Sequence, residues 1–299
     1  MNKSEAPPRL APWLKVRLPS GPDYLRIKEV SARRKLSTVC EEARCPNIAE
    51  CWGGGTATFM VMGDSCTRGC RFCSVASSAK PALPDPEEPA KLAQTLREMR
   101  LEYVVITTVC RDDLADQGAG HLAACLTAVH EACPAMKVEL LAQDFRGDER
   151  LLRTVLDAKP DVLAHNLETV SRLTAAVRDA KAGYRQSLDV LLSSKRLSPT
   201  TPTKTSLMLG LGETESELLE TFSDLRAAGV DILTLGQYLR PTGAGRHLPV
   251  HQYVTPEDFT RLGARARSMG FLYVASGPFV RSSYRAGELF LKGLLEARP

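Results

Sequence analysis

Six of the nine cysteines of this chain fall in two triplets between residues 40 and 73. Cys40, Cys45 and Cys51 are spaced C-x4-C-x5-C, and Cys66, Cys70 and Cys73 are spaced C-x3-C-x2-C. A metal site that only holds structure closes its shell with four ligands, whereas one that does chemistry leaves a position open. A cubane of four irons and four sulfides held by three thiolates keeps its fourth iron for another ligand. Two triplets therefore read as two clusters, each with one distinctive iron. Zinc ribbons take their ligands as two separated pairs, so a three-plus-three arrangement suits zinc poorly.

The elements that must position these thiols are legible in the rest of the chain. Its 299 residues suit one large α/β domain with appended arms, and 43% hydrophobic with 25% charged residues is ordinary for a soluble enzyme. From about residue 57, short β-branched runs alternate with longer helical stretches. The expected strands are Ala57–Met62, Tyr103–Thr108, Lys137–Leu141, Asp161–His165, Lys204–Gly210, Asp231–Gly236 and Leu272–Ser276. Helices are expected over 89–99, 120–132, 149–158, 183–194, 214–228 and 256–268. Such alternation implies parallel strands with right-handed crossovers. Six or seven units are too few for an eightfold barrel, so the expected fold is a partial, open TIM-type (β/α)6 barrel. Catalytic groups of such folds gather at the carboxyl ends of the strands. Cys66 stands four residues after the first expected strand, in the right place for an active-site loop. The expected organisation is an arm over 1–56 with the first triplet, a barrel over 57–276, and a closing segment over 277–299.

No apolar run is long enough to cross a bilayer, and residues 1–12 lack a signal peptide's apolar region. The expected compartment is the cytoplasm, where clustered thiols stay reduced and read as metal ligands rather than disulfides. Residues 1–39 carry nine basic and three acidic side chains, a net of +6, while the whole chain is +4. That arm is either a solvated face or a docking surface for an acidic partner. Nucleic acid suits it less, because the body has no basic stripe and only 6% aromatic residues.

Cys66-Thr-Arg-Gly-Cys70-Arg-Phe-Cys73, set between a strand and a β/α repeat, resembles the signature of the radical S-adenosylmethionine enzymes. The resemblance implies a [4Fe–4S] cluster whose open iron binds the methionine part of S-adenosylmethionine. An electron from it would release a 5′-deoxyadenosyl radical, able to take hydrogen from an unactivated C–H bond. The first triplet narrows the resemblance to the lipoyl synthase family. So do Trp13-Leu-Lys-Val-Arg17, Arg111-Asp-Asp-Leu114, Asp144-Phe145, His165-Asn-Leu-Glu-Thr-Val170, His247-Leu-Pro-Val250 and Arg281-Ser-Ser-Tyr284.

That resemblance implies an auxiliary [4Fe–4S] cluster on Cys40, Cys45 and Cys51, with a serine of Arg-Ser-Ser-Tyr on its fourth iron. Ser283 is preferred and Ser282 is the alternative; a plain capping role for the serine pair stands beside both. A serine oxygen is a harder, weaker partner for cluster iron than a thiolate, which suits a cluster dismantled to donate sulfide. Arg281 could support the serine oxygen in its anionic form. The implied reaction inserts two sulfur atoms, at C6 and C8 of an octanoyl group on a lysine of a lipoyl carrier. The carrier would be the glycine cleavage H protein or an E2 subunit of a 2-oxoacid dehydrogenase. Ferredoxin or flavodoxin would supply electrons, and an iron–sulfur carrier would rebuild the auxiliary cluster, with no nucleic acid or membrane involved.

S-adenosylmethionine contacts are expected at strand ends: Thr107 with Thr108, Asn166, Glu168 and, through its carboxylate, Arg178. For each, a turn or surface role is the alternative. Gly210-Leu-Gly212-Glu213 resembles a phosphate loop only weakly and equally fits a strand-to-helix turn. His121, His130, His247 and His251 are not expected to be ligands, and Cys125 and Cys133 are expected as apolar filler. Cys110, Gln117 and Gln143 depart from the family's pattern; a thiol at 110 in place of an aspartate puts any cofactor role of that position in doubt.

Two other functions remain to be weighed. A radical methylthiotransferase also carries two clusters, but would need a nucleic-acid domain for which no residues are left. An electron-transfer protein would carry four cysteines per cluster and would not need a barrel.

Overall fold

The computed structural model describes residues 11–14, 21–34, 47–241, 245–284 and 287. Cys40 and Cys45 lie outside the described residues. The strands are β1 (Thr56–Val61), the short β2 (Ser65–Cys66) and β3 (Ala76–Ser77), β4 (Tyr103–Thr108), β5 (Lys137–Leu141), β6 (Val162–Ala164), β7 (Thr203–Leu209), β8 (Ile232–Gln237) and β9 (Tyr273–Gly277). The helices are α1 (Pro22–Arg34), α2 (Ile48–Gly53), α3 (Glu88–Met99), α4 (Ala119–Ala132), α5 (Glu149–Asp157), the single-turn α6 (Thr174–Val177), α7 (Tyr184–Leu197), α8 (Glu215–Ala227) and α9 (Pro256–Ser268).

β1 and β4 to β9 form one parallel sheet in that order, leaving β1 and β9 as its edges, while β2 pairs with β3. The sheet is open, as expected. It has seven strands joined by six helical crossovers, so the (β/α)6 repeat is completed by a seventh strand.

Alternation along each strand sorts side chains between two faces. Val104, Ile106, Val138 and Leu140 pack outward with Leu92, Leu96, Leu122 and Leu126 of α3 and α4. Leu207, Leu209, Leu233 and Leu235 do the same with Leu218, Phe222, Phe259 and Leu262 of α8 and α9. Burial of each such side chain contributes about 1.5–3 kcal/mol, which is what fixes the crossover helices on the sheet. The opposite face is mixed. Near the strands' amino ends, Lys204 Nζ donates to both Glu139 oxygens at 2.9 and 2.8 Å, and Tyr103 donates its hydroxyl to Glu139 Oε2 at 2.9 Å. All three side chains are buried. An unpaired charge would be costly there, so the three polar groups close on one another.

Helix starts follow local chemistry. Thr214 and Glu217 form a reciprocal capping box at α8, and Thr255 accepts from Asp258 N–H to open α9. Among the described residues no helix is long and apolar enough to cross a membrane.

Candidate cluster and cofactor site

The second triplet sits on the loop that leaves β1. Cys66 ends β2, and Cys70 and Cys73 follow in irregular backbone before β3. Backbone N–H groups point at the sulfurs. Arg68 N–H and Cys110 N–H donate to Cys66 Sγ at 3.4 and 3.3 Å, and Asp179 N–H donates to Cys70 Sγ at 3.3 Å. N–H···S bonds of this kind stabilise thiolates ligating a cluster and tune its potential, so the donor set fits a [4Fe–4S] cluster on Cys66, Cys70 and Cys73. The Cys66 thiol is lowered to about 6, first by its hydrogen bond with the Cys110 side chain and further by backbone donors. Desolvation raises the other two, Cys73 to about 11. Cys66 is therefore the readiest anion of the three.

The loop is held from three sides. Inside it, the buried Arg68 guanidinium forks onto two carboxylates. Nε and Nη2 reach Asp112 at 3.0 and 2.9 Å, and Nη1 and Nη2 reach Asp144 at 2.5 and 2.7 Å. Asp112 and Asp144 follow β4 and β5, so this one side chain locks the cysteine loop to two strand ends. Desolvation pushes both carboxyls up, but the bonds from Arg68 outweigh it and hold them below the ordinary range. On a second side, Asp179 accepts from Gly69 N–H at 2.8 Å, and Arg71 N–H donates to Val177 O at 2.8 Å. On the third, His247 Nε2 lies 2.9 Å from Cys73 O, and Arg246 donates to Val75 O at 2.7 Å. His247 thus braces the backbone of the cysteine loop at Cys73.

The expected cofactor residues gather beside this loop. Thr107 lies half-buried at the carboxyl end of β4; Thr108 donates its hydroxyl to Val109 O. Asn166 and Glu168 follow β6, and Arg178 follows α6, adjacent to the Asp179 amide that reaches Cys70. Glu168 is non-glycine backbone at φ 72°, a strained conformation typical of sites where a side chain must be aimed. Desolvation raises its carboxyl, with Arg178 and a hydrogen bond from Asn166 opposing. Two of these expected cofactor residues each carry a buried polar atom with no protein partner, Asn166 Oδ1 and Arg178 Nε. Buried orphans are costly, and an open acceptor and an open donor fit a ligand that presents both hydrogen-bond donors and a carboxylate. S-adenosylmethionine has both.

The Arg-Ser-Ser-Tyr stretch lies across the end of β8. A Cβ on Gly236 would come within 2.0 Å of Val280 O, so only glycine lets this segment settle there. Arg281 donates to Val280 O at 2.8 Å and to Gln237 O at 3.4 Å. Tyr284 N–H closes on Arg281 O at 2.9 Å, which places Ser282 and Ser283 in the middle of a turn. The turn meets the helix of Cys51: Asn47 Nδ2 donates to Phe279 O at 2.5 Å, and Tyr284 donates to Glu50 Oε1 at 3.0 Å.

Other expectations resolve into structure. Glu213 accepts the Gly210 and Leu211 N–H groups at 2.5 and 2.9 Å, so the glycine pair is a turn closed by its own acid, not a phosphate loop. Cys125 is buried core, while Cys133 is half-buried beyond the end of α4. Glu88, His121 and Cys125 place their ligand atoms within 4.8 Å of one another. Glu88 Oε2 there already accepts Met62 N–H at 2.9 Å and lies 2.6 Å from His121 Nε2, ties that fix the start of α3. Gln143 accepts Arg111 N–H and donates to Gln117 O, so two departures from the family pattern bond each other. A cavity of about 470 Å³ lined by Leu96, Arg100, Tyr103 and Met136 lies at the strands' amino ends, and neither Cys66, Cys70 nor Cys73 lines it.

Sequence reasoning did not assign Arg68, Asp112, Asp144, Asp179 or Ser187. The available signal was an arginine inside the cysteine loop together with acids directly after two strands.

The radical S-adenosylmethionine superfamily matches residues 60–225, and the N-terminal domain of lipoyl synthase matches residues 1–45. A lipoyl synthase of Anaeromyxobacter sp. (strain Fw109-5) is 58% identical over 96% of this chain and 97% of its own length. One of Myxococcus xanthus is 58% identical over 95% and 94%, and a mitochondrial lipoyl synthase of Aedes aegypti 54% over 97% and 75%. Among solved structures, a maturase of the [FeFe]-hydrogenase superposes with a TM-score of 0.56 at 14% identity, over 92% of this chain and 74% of that one. Methylornithine synthase gives 0.51 at 12% over 71% and 64%. These two show the fold alone. With near-complete coverage at more than half identity, the chain belongs to the lipoyl synthase family of the radical S-adenosylmethionine superfamily.

Proposed function

We propose that this chain inserts two sulfur atoms at C6 and C8 of an octanoyl group carried on a lysine of a lipoyl carrier, completing the lipoyl group. The observation that carries the reading is the joint geometry of two cysteine-bearing elements. One is a C-x3-C-x2-C loop fed by amide donors at the carboxyl end of a parallel sheet. The other is the Cys51 helix, bonded to the Arg-Ser-Ser-Tyr turn. Cys66, Cys70 and Cys73 would hold the radical-generating cluster. Cys40, Cys45, Cys51 and Ser283, or Ser282 in its place, would hold the auxiliary cluster, whose sulfides are the second substrate. When bound, the radical cluster and S-adenosylmethionine supply the one-electron chemistry that activates each C–H bond.

This chain's residues bind and orient. Arg178 would pair with the methionine carboxylate, Asn166 and Glu168 would take ribose hydroxyls, and Thr107 would receive the methionine amine or carboxylate. Arg68, Asp112 and Asp144 hold the cysteine loop rigid, as a site must when the distance between radical and substrate carbon decides the outcome.

The partner would be an octanoylated H protein or an E2 lipoyl domain, its acidic surface matched to the +6 arm. Ferredoxin or flavodoxin would reduce the radical cluster. We place the enzyme in the cytoplasm; the relative from Aedes aegypti carries a mitochondrial name. A methylthiotransferase is disfavoured by the curated names of relatives that span nearly the whole chain. Anaerobic mass spectrometry of an octanoylated carrier peptide after incubation with reconstituted enzyme, S-adenosylmethionine and dithionite tests the reading. Two added sulfurs and 5′-deoxyadenosine are expected; cofactor cleavage indifferent to the carrier would refute it.

A further inference from the structure

Arg178 is buried, and its guanidinium is gripped on one side only. Nη1 donates to Ser187 Oγ at 2.7 Å and to Leu167 O at 3.3 Å, while Nε has no partner. Ser187 stands in the first turn of α7 and is fully buried. Serines in helices commonly turn their hydroxyl back on the carbonyl four residues earlier, as Ser194 does on Val190 O at 2.7 Å. Ser187 does otherwise: its Oγ is 2.9 Å from His165 Nε2.

The direction of each bond follows from the chain's end. Ala142 O lies 3.0 Å from His165 Nδ1, and a carbonyl can only accept, so Nδ1 carries the proton. Nε2 of the neutral ring then accepts, which makes the Ser187 hydroxyl its donor. The lone pairs of that hydroxyl are turned to Arg178 Nη1–H. The relay from Ala142 O through His165 and Ser187 thus has one polarity, and it ends by fixing the rotation of the guanidinium.

We propose that Ser187 is a positioning residue of the S-adenosylmethionine site: oriented by His165, its hydroxyl anchors one edge of Arg178 and leaves the unpartnered Nε edge for the ligand's carboxylate. This rests on the reading of Arg178 as the carboxylate partner. Without the anchor, the guanidinium would gain rotamer freedom that binding must remove again, and affinity would fall while the cluster loop stayed intact.

The test is anaerobic equilibrium binding of S-adenosylmethionine to the holoenzyme, with iron content and the electron paramagnetic resonance of the reduced cluster followed in parallel. Ser187→Ala should weaken binding roughly tenfold, the loss of one hydrogen bond to a charged group, with iron per chain unchanged. The spectral change that S-adenosylmethionine induces should appear only at correspondingly higher concentration. Ser187→Thr, which keeps the hydroxyl, should restore most of the affinity. If Ser187→Ala binds within about twofold of the parent while Arg178→Gln binds much more weakly, the positioning role is wrong and the carboxylate assignment stands. If Arg178→Gln binds as the parent does, that assignment itself fails. Loss of iron together with affinity in Ser187→Ala would move its role to the cluster loop and overturn the proposal.

Discussion

Tyr284 and Glu50 are 234 residues apart in sequence and hydrogen-bonded at 3.0 Å. Glu50 precedes Cys51 on α2, and Tyr284 follows Ser283, so this bond joins the two segments proposed to share the auxiliary cluster. Tyr284→Phe removes it while keeping the ring. The expected outcome is fewer than eight irons per chain after purification, with 5′-deoxyadenosine formation retained. Iron analysis beside a cleavage assay checks both.

Separate roles for the two triplets predict separate losses. Cys70→Ala should abolish cleavage of S-adenosylmethionine. Cys45→Ala should leave cleavage but yield no sulfur in the carrier; lipoyl product from that variant would show the sulfur-donor assignment to be mistaken. Ser283→Ala should alter the auxiliary-cluster spectrum, and an unaltered one shifts the ligand to Ser282.

The Arg68 fork should be costly to break. Asp144 and Asp112 are buried against it, and removing one partner of a buried ion pair typically costs about 3–5 kcal/mol. Asp144→Asn should lower the melting temperature and the iron retained on the Cys66 loop. Asp148→Asn, whose partner Arg150 is exposed, should do neither to a measurable degree.

Burial, and then the nearby charge of Arg178, lowers the His165 imidazole from 6.5 to about 4. The unfolded chain takes up this proton near 6.5, so between that pH and about 4 the unfolded state holds the extra proton. Stability contributed by the neutral ring is therefore full above that window and is lost as pH falls through it. The slope reaches at most about 1.4 kcal/mol per pH unit. Urea midpoints of the parent should fall from pH 6.5 to 5 more steeply than those of His165→Asn; parallel curves would exclude the effect.

The frame was legible because it rests on local signals. Tyr103–Thr108 and Lys137–Leu141 match their expected bounds, since uninterrupted β-branched and apolar runs mark strands covered on both faces. β6 is shorter than expected: Asp161 turns its carboxylate onto Val138 N–H at 2.9 Å and begins the strand from outside it. Cysteine spacing carries the proposed pair of clusters in the sequence itself, because the thiols of each triplet lie a few residues apart. The supports were not legible. Arg68, Asp112 and Asp144 meet from three different loops, and Ser187 reaches His165 across a crossover, so neither contact leaves a periodic trace. Likewise Gly210 and Leu211 gave no local sign that Glu213 would fill their amides.

The Tyr103–Glu139–Lys204 triad has a bearing on traffic through the enzyme. It fills the amino-end part of the sheet's mixed face with groups that cannot part without stranding a charge. On the proposed function, a tethered fatty chain would therefore come in tip first from the carboxyl ends of the strands, where Cys66, Cys70 and Cys73 lie, and withdraw the same way.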